Sequence, residues 1–467
     1  MKNGIIKVMA ANIINLIVGI LTSFLLPKFL PVESYAIIKT YALYITYAGF
    51  FSLGYNDGMY LKYGGKKITE LSKDGFANNF INYFFIILIM TIIVLTIGII
   101  FSNSIIIAFA FGIFSYNILG YLKSLYQATG EFGAYGKALN FEKIAIFVIS
   151  MFFIFVLHKE NGNFYVWIQV IVGIVISIYL TIRLNSVLKF INKGKISLTE
   201  IISNVKSGFI LMLGNFSSGI FTGLDRWFIK ILLTDFNFAM YSFAVSMENI
   251  VNTFTTPITI SMYNYFCKNS EVNKIIKIKK YVLIWGIFII SLAYPAKFIL
   301  EIYLQKYKQA NNIIFLLFGA QLFYLIIKGI YVNIYKTEKK QNKYLIQMLE
   351  MIGVGFILNL ILFRIFKSME SIAVATLITS IIWLIICEGE KNNEIRFSIN
   401  EILTIFVVIS VYLLTGYYCN SISGLCIYYA CSFGSIFIFM KDTLFDIFNE
   451  LKKLFFKCRG KDEWRKK

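Results

Sequence analysis

Residues 213–247 read LGNFSSGIFTGLDRWFIKILLTDFNFAMYSFAVSM. The stretch is apolar enough for two membrane helices, yet Asp225 and Arg226 stand side by side within it. An ionised side chain near the centre of a membrane helix costs at least about 2.5–3.5 kcal/mol. Two in a row need each other, water or a polar cavity. Asn215, Ser218, Thr222 and Asp225 recur at i, i+3, i+7 and i+10, which is one helical face. Arg226 and Lys230 edge that face, and Gly219 and Gly223 form a GxxxG that lets helices approach closely. After a turn at Asp235 and Asn237, a second run carries Ser242, Ser246, Asn249, Thr253 and Thr256 on one face, with Glu248 beside it. Two polar-faced membrane helices in succession read as walls of a watered cavity. The plainer alternative is an Asp225–Arg226 ion pair capping a helix at the membrane surface.

The rest of the chain agrees with a membrane setting. Of 467 residues, 58% are hydrophobic and 15% charged, against roughly 25% charged in soluble domains. The mean hydropathy is +0.72. The formal charge of +20 does not indicate a nucleic-acid partner, because the lysines sit in short segments between apolar runs, the positive-inside pattern. A single histidine, His158, excludes a histidine metal cluster, and six cysteines without CxxC spacing give no metal or disulfide framework. No metal and no cofactor is expected; Na⁺ or H⁺ is expected only as a coupling ion.

A membrane helix needs about 20 apolar residues. Fourteen runs qualify, roughly 8–27, 35–54, 79–101, 105–127, 138–157, 164–184, 207–231, 237–260, 281–303, 311–335, 344–364, 370–388, 401–418 and 424–440. The first is read as a membrane helix and not a cleaved signal. Lysine-rich loops come after runs two, six, eight and ten, the third of them holding Lys274, Lys277, Lys279 and Lys280. This predicts both termini in the cytoplasm. A shift of about 203 residues lays Asn12, Asn15, Gly19 and Thr22 over Asn215, Ser218, Thr222 and Asp225. Tyr126 and Tyr135 are echoed by Tyr335 and Tyr344. The expected fold is therefore all-α and polytopic, with about 14 transmembrane helices. Two pseudo-symmetric six-helix lobes, 1–195 and 196–392, would enclose a central cavity. A peripheral helix pair, 393–441, and a basic cytoplasmic tail, 442–467, would complete the chain.

Cations inside the spans are the functional candidates. Lys328 lies on a stripe with Gln321, Tyr324, Tyr331 and Tyr335. Lys123 occupies the corresponding span of the first half, Lys39 span two, Lys143 span five and Arg226 span seven. Cations facing one cavity suit a phosphate or diphosphate, and tyrosines on the same faces suit sugars. Asn12, Asn15, Asn215, Ser218, Thr222, Gln321, Tyr324 and Tyr331 would supply the polar lining, and Asp225 and Glu248 the coupling-ion site. The run GYNDGMYLKYGGKK, 54–67, lacks the GKS or GKT ending of a P-loop, so no nucleotide site is read there.

Four stretches then carry a resemblance: ILTSFLLPKFLPVESYAIIKTYAL (20–43), LGYNDGMYLKYGGK (53–66), LDRWFIKILLTDFNFAMYSFA (224–244), and IYKTEKKQNKYLIQMLEMIGVGFILNLIL with MESIAVATLITS, from the end of span ten through span twelve. Their order and spacing resemble the Wzx-type transporters, the polysaccharide-export branch of the multidrug/oligosaccharidyl-lipid/polysaccharide superfamily. The resemblance implies a flippase, not an enzyme. It would move undecaprenyl-diphosphate-linked oligosaccharides across a bacterial cytoplasmic (inner) membrane by alternating access. Its partners would be the lipid-linked oligosaccharide, membrane lipids, a polysaccharide polymerase and glycosyltransferases. The pathway would be lipopolysaccharide O-antigen or capsule synthesis. Drug-exporting relatives often have an acidic residue in the first helix, where this chain has Asn12 and Asn15. A lipid II flippase and a multidrug antiporter are the alternatives of similar fold. A membrane polymerase is the alternative of another class, and it needs a larger external loop than any here.

Overall fold

The computed structural model describes residues 2–190, 194–268, 271–390, 395–450 and 452. The predicted basic tail beyond Glu450 thus lies, Lys452 apart, outside the described residues. Those residues form seventeen α-helices and no strand. In order they are α1 (Lys2–Phe29), α2 (Val32–Ile45), α3 (Tyr55–Tyr63), α4 (Lys73–Ile100), α5 (Ser104–Ala128), α6 (Phe132–Phe155), α7 (Gly162–Leu188), α8 (Leu198–Leu232) and α9 (Asp235–Lys268). They continue with α10 (Val272–Ile290), α11 (Ala293–Ile302), α12 (Asn311–Ile326), α13 (Val332–Thr337), α14 (Gln341–Phe366), α15 (Met369–Glu390), α16 (Ile399–Tyr418) and α17 (Ser421–Phe439).

The fourteen predicted runs are mostly helical, but run 35–54 breaks after Ile45 into a turn and a 3₁₀ segment, Ala48–Ser52, and run 281–303 breaks at 291–292 between α10 and α11. Among the described residues, twelve spans are long and apolar enough to cross a membrane, or thirteen if the bent pair 32–52 and 55–63 is one span. The run that fails is α9, which has the length but carries Glu248, Asn249, Asn252 and several threonines. The protein is thus an all-helical, multi-pass membrane protein.

Helix ends obey local chemistry. Ser72, Asn103, Asn161 and Ser197 accept backbone N–H bonds at the starts of α4, α5, α7 and α8, satisfying donors the helix leaves open. Ser398 and Glu401 form a reciprocal capping box on α16.

The chain forms two compact units, Met1–Ser242 and Phe243–Lys467. In the first, α5 is the central helix, packed on α2, α3, α4 and α7. Its polar side chains are satisfied internally: Tyr121 donates to Asn79 Oδ1 at 2.7 Å, and Asn117 Nδ2 donates to the Ala48 carbonyl at 2.9 Å. In the second unit α12 has the corresponding role, against α10, α15 and α16, and nearly all of its residues are buried.

The tightest helix contact in the first unit is between α3 and α8. Cβ atoms added at Gly54, Gly58 or Gly208 would run into the backbone of the facing helix. The GxxxG spacing puts the close approach at Gly219 and Gly223 instead. Gly219 has nothing within 4 Å, and Gly223 makes room for the Tyr47 hydroxyl, which donates to the Gly219 carbonyl at 3.4 Å. That GxxxG receives a side chain from beyond the end of α2, not a second helix.

Candidate functional site

The first unit encloses a cavity of about 960 Å³ between α1, α2, α3, α5, α6, α7 and α8. Lys39, Lys123 and Lys143 all line it, with Asp57 and Glu142 as the carboxylates. Amide, hydroxyl and aromatic groups fill the gaps: Asn56, Gln127, Gln169, Asn215, Tyr116, Tyr135, Phe50 and Phe216 among them.

The cations are not equivalent. Lys123 is paired with Glu142 at 2.8 Å, each side chain about a fifth exposed. Sequence adjacency pairs Glu142 with Lys143 on α6, whereas in the structure Lys123 reaches Glu142 from α5. Lys39 lies over the Tyr35 ring, 5.1 Å from its centroid. Asp57 accepts from Asn215 Nδ2 at 3.3 Å, so α3 and α8 meet at the cavity wall through a carboxylate–amide bond. Asn56 donates to Ser124 at 3.3 Å. Phe50 and Phe216 stack at 4.3 Å, with Tyr47 edge-on to Phe216.

Several expected residues sit apart from this cavity. Asn15 donates to Asn140 Oδ1 at 2.5 Å, joining α1 to α6. Asn12, Ser218 and Thr222 are exposed. Asp225 is buried. It accepts from the Tyr241 hydroxyl at 2.8 Å and from the Arg226 backbone N–H at 2.7 Å. The Arg226 guanidinium turns back to the Thr222 carbonyl at 3.3 Å and is close enough for its charge to act on Lys39. Neither the side-chain ion pair nor a shared open face joins Asp225 to Arg226. A tyrosine sixteen residues along the chain, which no spacing rule singles out, satisfies the carboxylate.

The second unit holds its own polar group. Gln321 donates to Glu248 Oε1 at 2.5 Å. Lys328 lies 5.4 Å from the Tyr324 ring centroid, within the field of Glu248. Tyr331 departs from this group. Residues Ile327–Tyr331 form a π turn, which inserts one residue beyond the α repeat and rotates the following helix by about 100°. Tyr331 therefore turns to Glu388 on α15, and Tyr335 accepts from Gln347 on α14 at 3.1 Å. One stripe in the sequence becomes two faces in the structure.

A buried ionic cluster escapes the sequence reading altogether. Lys279 belongs to a basic run that reads as a loop, yet it lies in α10 and is fully buried. Its ammonium stands 3.9 Å from Glu388 and 3.8 Å from Glu401, and 3.8 Å from the Phe397 ring centroid. The spacing of KIIKIKK, 274–280, holds the signal: Ile275, Lys279 and Val282 share one α-helical face.

No family model matches the sequence, and no curated protein matches it. Solved structures do. A lipid II flippase, MurJ, in an inward closed conformation superposes with a TM-score of 0.68 at 17% identity, covering 94% of this chain and 100% of that one. The chain shares the fold of that structure. Fainter similarities reach a MATE transporter in complex with Br-NRF (TM-score 0.44, 12% identity, 87% and 94% covered). An outward-facing multidrug resistance MATE family transporter of the MOP superfamily gives a TM-score of 0.42 at 13% identity, with 88% and 94% covered.

Proposed function

We propose that this chain is a secondary transporter, not an enzyme, that flips undecaprenyl-diphosphate-linked oligosaccharide units across the bacterial cytoplasmic membrane by alternating access. The observation carrying this reading is the cavity in which Lys39, Lys123 and Lys143 converge among amides and tyrosines. Lysines supply charge-assisted bonds to a diphosphate. Asp57, Asn215, Gln127 and the stacked Phe50–Phe216 pair suit sugar hydroxyls and sugar faces. The polyprenyl chain stays in the bilayer, because withdrawing it costs about 0.8 kcal/mol per CH₂. Lys328, with Tyr324 and Gln321, is the second unit's anion contact. Asp225 and Glu248 are the sites through which Na⁺ or H⁺ would bias the transport cycle. Both termini lie in the cytoplasm, and the polymerase and glycosyltransferases of the same polysaccharide pathway are the partners.

A second reading, lipid II transport, is favoured by the fold shared with a lipid II flippase. Proteoliposomes separate the two. A fluorescent polyprenyl-diphosphate trisaccharide and labelled lipid II are offered in parallel, with and without Na⁺ or proton gradients. Wild-type protein should flip the trisaccharide. Lys39→Ala/Lys143→Ala should slow flipping at least tenfold, since each charged contact contributes about 1.5–3 kcal/mol. Flipping of lipid II alone supports the second reading, and flipping of neither lipid refutes both. Rates indifferent to either gradient remove the coupling role of Asp225 and Glu248.

A further inference from the structure

The π turn Ile327–Tyr331 sits between two helices that are each fixed in their own register. On one side α12 is buried along nearly its whole length. On the other, Asn333 Nδ2 donates to the Thr259 carbonyl at 2.7 Å and Tyr335 is held by Gln347. Neither flank can rotate to absorb the extra residue, so the turn is the joint between them. Lys328 belongs to that joint.

The joint is gripped from one side. The Tyr331 hydroxyl donates to Glu388 Oε1, and Glu388 Oε2 accepts the Phe397 backbone N–H at 2.7 Å. Glu388 in turn faces Lys279, which donates to the Ile395 carbonyl at 2.5 Å and neighbours Glu401 at 3.8 Å. Lys280 reaches Glu401 Oε1 at 3.6 Å. Two lysines and two glutamates thus form a network, and the Arg396 guanidinium joins its edge by donating to the Glu388 carbonyl at 3.2 Å. The network ties α10, α15 and the start of α16 to one tyrosine. A buried charge network of this kind is strongly destabilised by loss of one member, so Glu388 is a stiff anchor. Single π turns in α-helices recur at functional sites.

We infer that Tyr331 and Glu388 are positioning residues: by gripping the π turn they hold Lys328 beside Tyr324, Gln321 and Glu248. This inference rests on the reading of Lys328 as an anion contact. Neither residue touches substrate, and both act through the lysine.

The test combines transport with a probe of position. Tyr331→Phe and Glu388→Gln are each assayed for flipping of the fluorescent polyprenyl-diphosphate trisaccharide, alone and combined with Lys328→Ala. Thermal unfolding in detergent is measured alongside. In a background with all six cysteines replaced, a nitroxide at Lys328→Cys reports local mobility. The expected result is an at least tenfold loss of flipping in Tyr331→Phe, with unfolding still cooperative and its temperature lowered no more than in Tyr241→Phe, which loses the same kind of hydroxyl–carboxylate bond. No further loss should appear when Lys328→Ala is added, because coupled residues are not additive. The nitroxide should become markedly more mobile in Tyr331→Phe. Multiplicative losses, or an unchanged nitroxide spectrum, overturn the positioning role. If Lys328→Ala itself flips normally, the anion-contact reading fails, while the spectrum still decides whether Tyr331 holds residue 328 in place.

Discussion

Gly58→Ala should loosen the first unit and disable its cavity together. The α3–α8 contact is backbone against backbone. A methyl group at residue 58 would overlap the Asn204 carbonyl oxygen and lie 2.7 Å from Ser207 Oγ and 2.9 Å from the Asn204 carbonyl carbon. Unstrained carbon contacts fall near 3.5–4.0 Å, and a helix backbone cannot yield as a side-chain tip can. So α3 must retreat by about 1 Å. Overpacking of this kind costs about 1–3 kcal/mol. The retreat also stretches the Asp57–Asn215 bond, now 3.3 Å, and the Lys62–Glu200 pair, now 2.7 Å. The first contributes about 0.5–1.5 kcal/mol. The second, partly exposed, contributes at most about 1 kcal/mol. A total loss of about 2–4 kcal/mol is expected when these effects combine. Gly214→Ala is the control, since nothing lies within 4 Å of its Cβ position. Alanine there should be neutral or stabilising by about 0.5–1 kcal/mol. Unfolding is measured by circular dichroism in mixed micelles of rising denaturing-detergent fraction. If Gly58→Ala unfolds at the same fraction as Gly214→Ala, the glycine-mediated contact does not hold these helices.

Three further outcomes rest on single contacts. Tyr241→Phe removes the hydroxyl donor from Asp225 and should cost about 1.5–3 kcal/mol; the same titration reads it, and an unchanged midpoint means the bond contributes nothing. Lys297 donates to the carbonyls of Gly416 at 2.8 Å and Cys419 at 2.6 Å at the end of α16. Lys297→Met should therefore raise hydrogen exchange at the α16–α17 connection at least tenfold, and unaltered exchange there would contradict the capping role. Lys277→Cys in a cysteine-free background should resist a membrane-impermeant thiol reagent applied to intact cells, because basic segments stay inside; labelling from outside would invert the topology.

Much of this architecture is legible in the sequence because apolar runs of membrane length leave few choices. Helix pairing is less so. Lys123 and Glu142 lie on different helices, and only packing brings them together. The stripe from Gln321 to Tyr335 assumes a uniform 3.6-residue repeat, and one inserted residue at the π turn sends its second half elsewhere. Lys279 reads as a loop residue because the run KIIKIKK is basic, though Ile275 and Val282 mark it as the inward face of α10. The GxxxG at Gly219 and Gly223 seats a tyrosine, while a second GxxxG, Gly54 to Gly58, makes the close helix contact with Gly208. Asp57 stands out in the sequence only as an acidic position, since nothing in GYNDG says which way the turn faces.

On the proposed transport reading, the Lys123–Glu142 pair would make the cavity a selective filter. An anion that reaches Lys123 must displace a carboxylate already 2.8 Å away. A monovalent ion would exchange one partner for another with no net gain. A diphosphate offers a second charge to Lys143 or Lys39 while it evicts Glu142, so only a multivalent, extended headgroup comes out ahead. Chloride would then be excluded by competition from within the protein and not by size. Glu142→Gln should remove that discrimination: chloride should inhibit flipping by the variant and leave the wild type untouched, and equal sensitivity of the two would show that the carboxylate guards nothing.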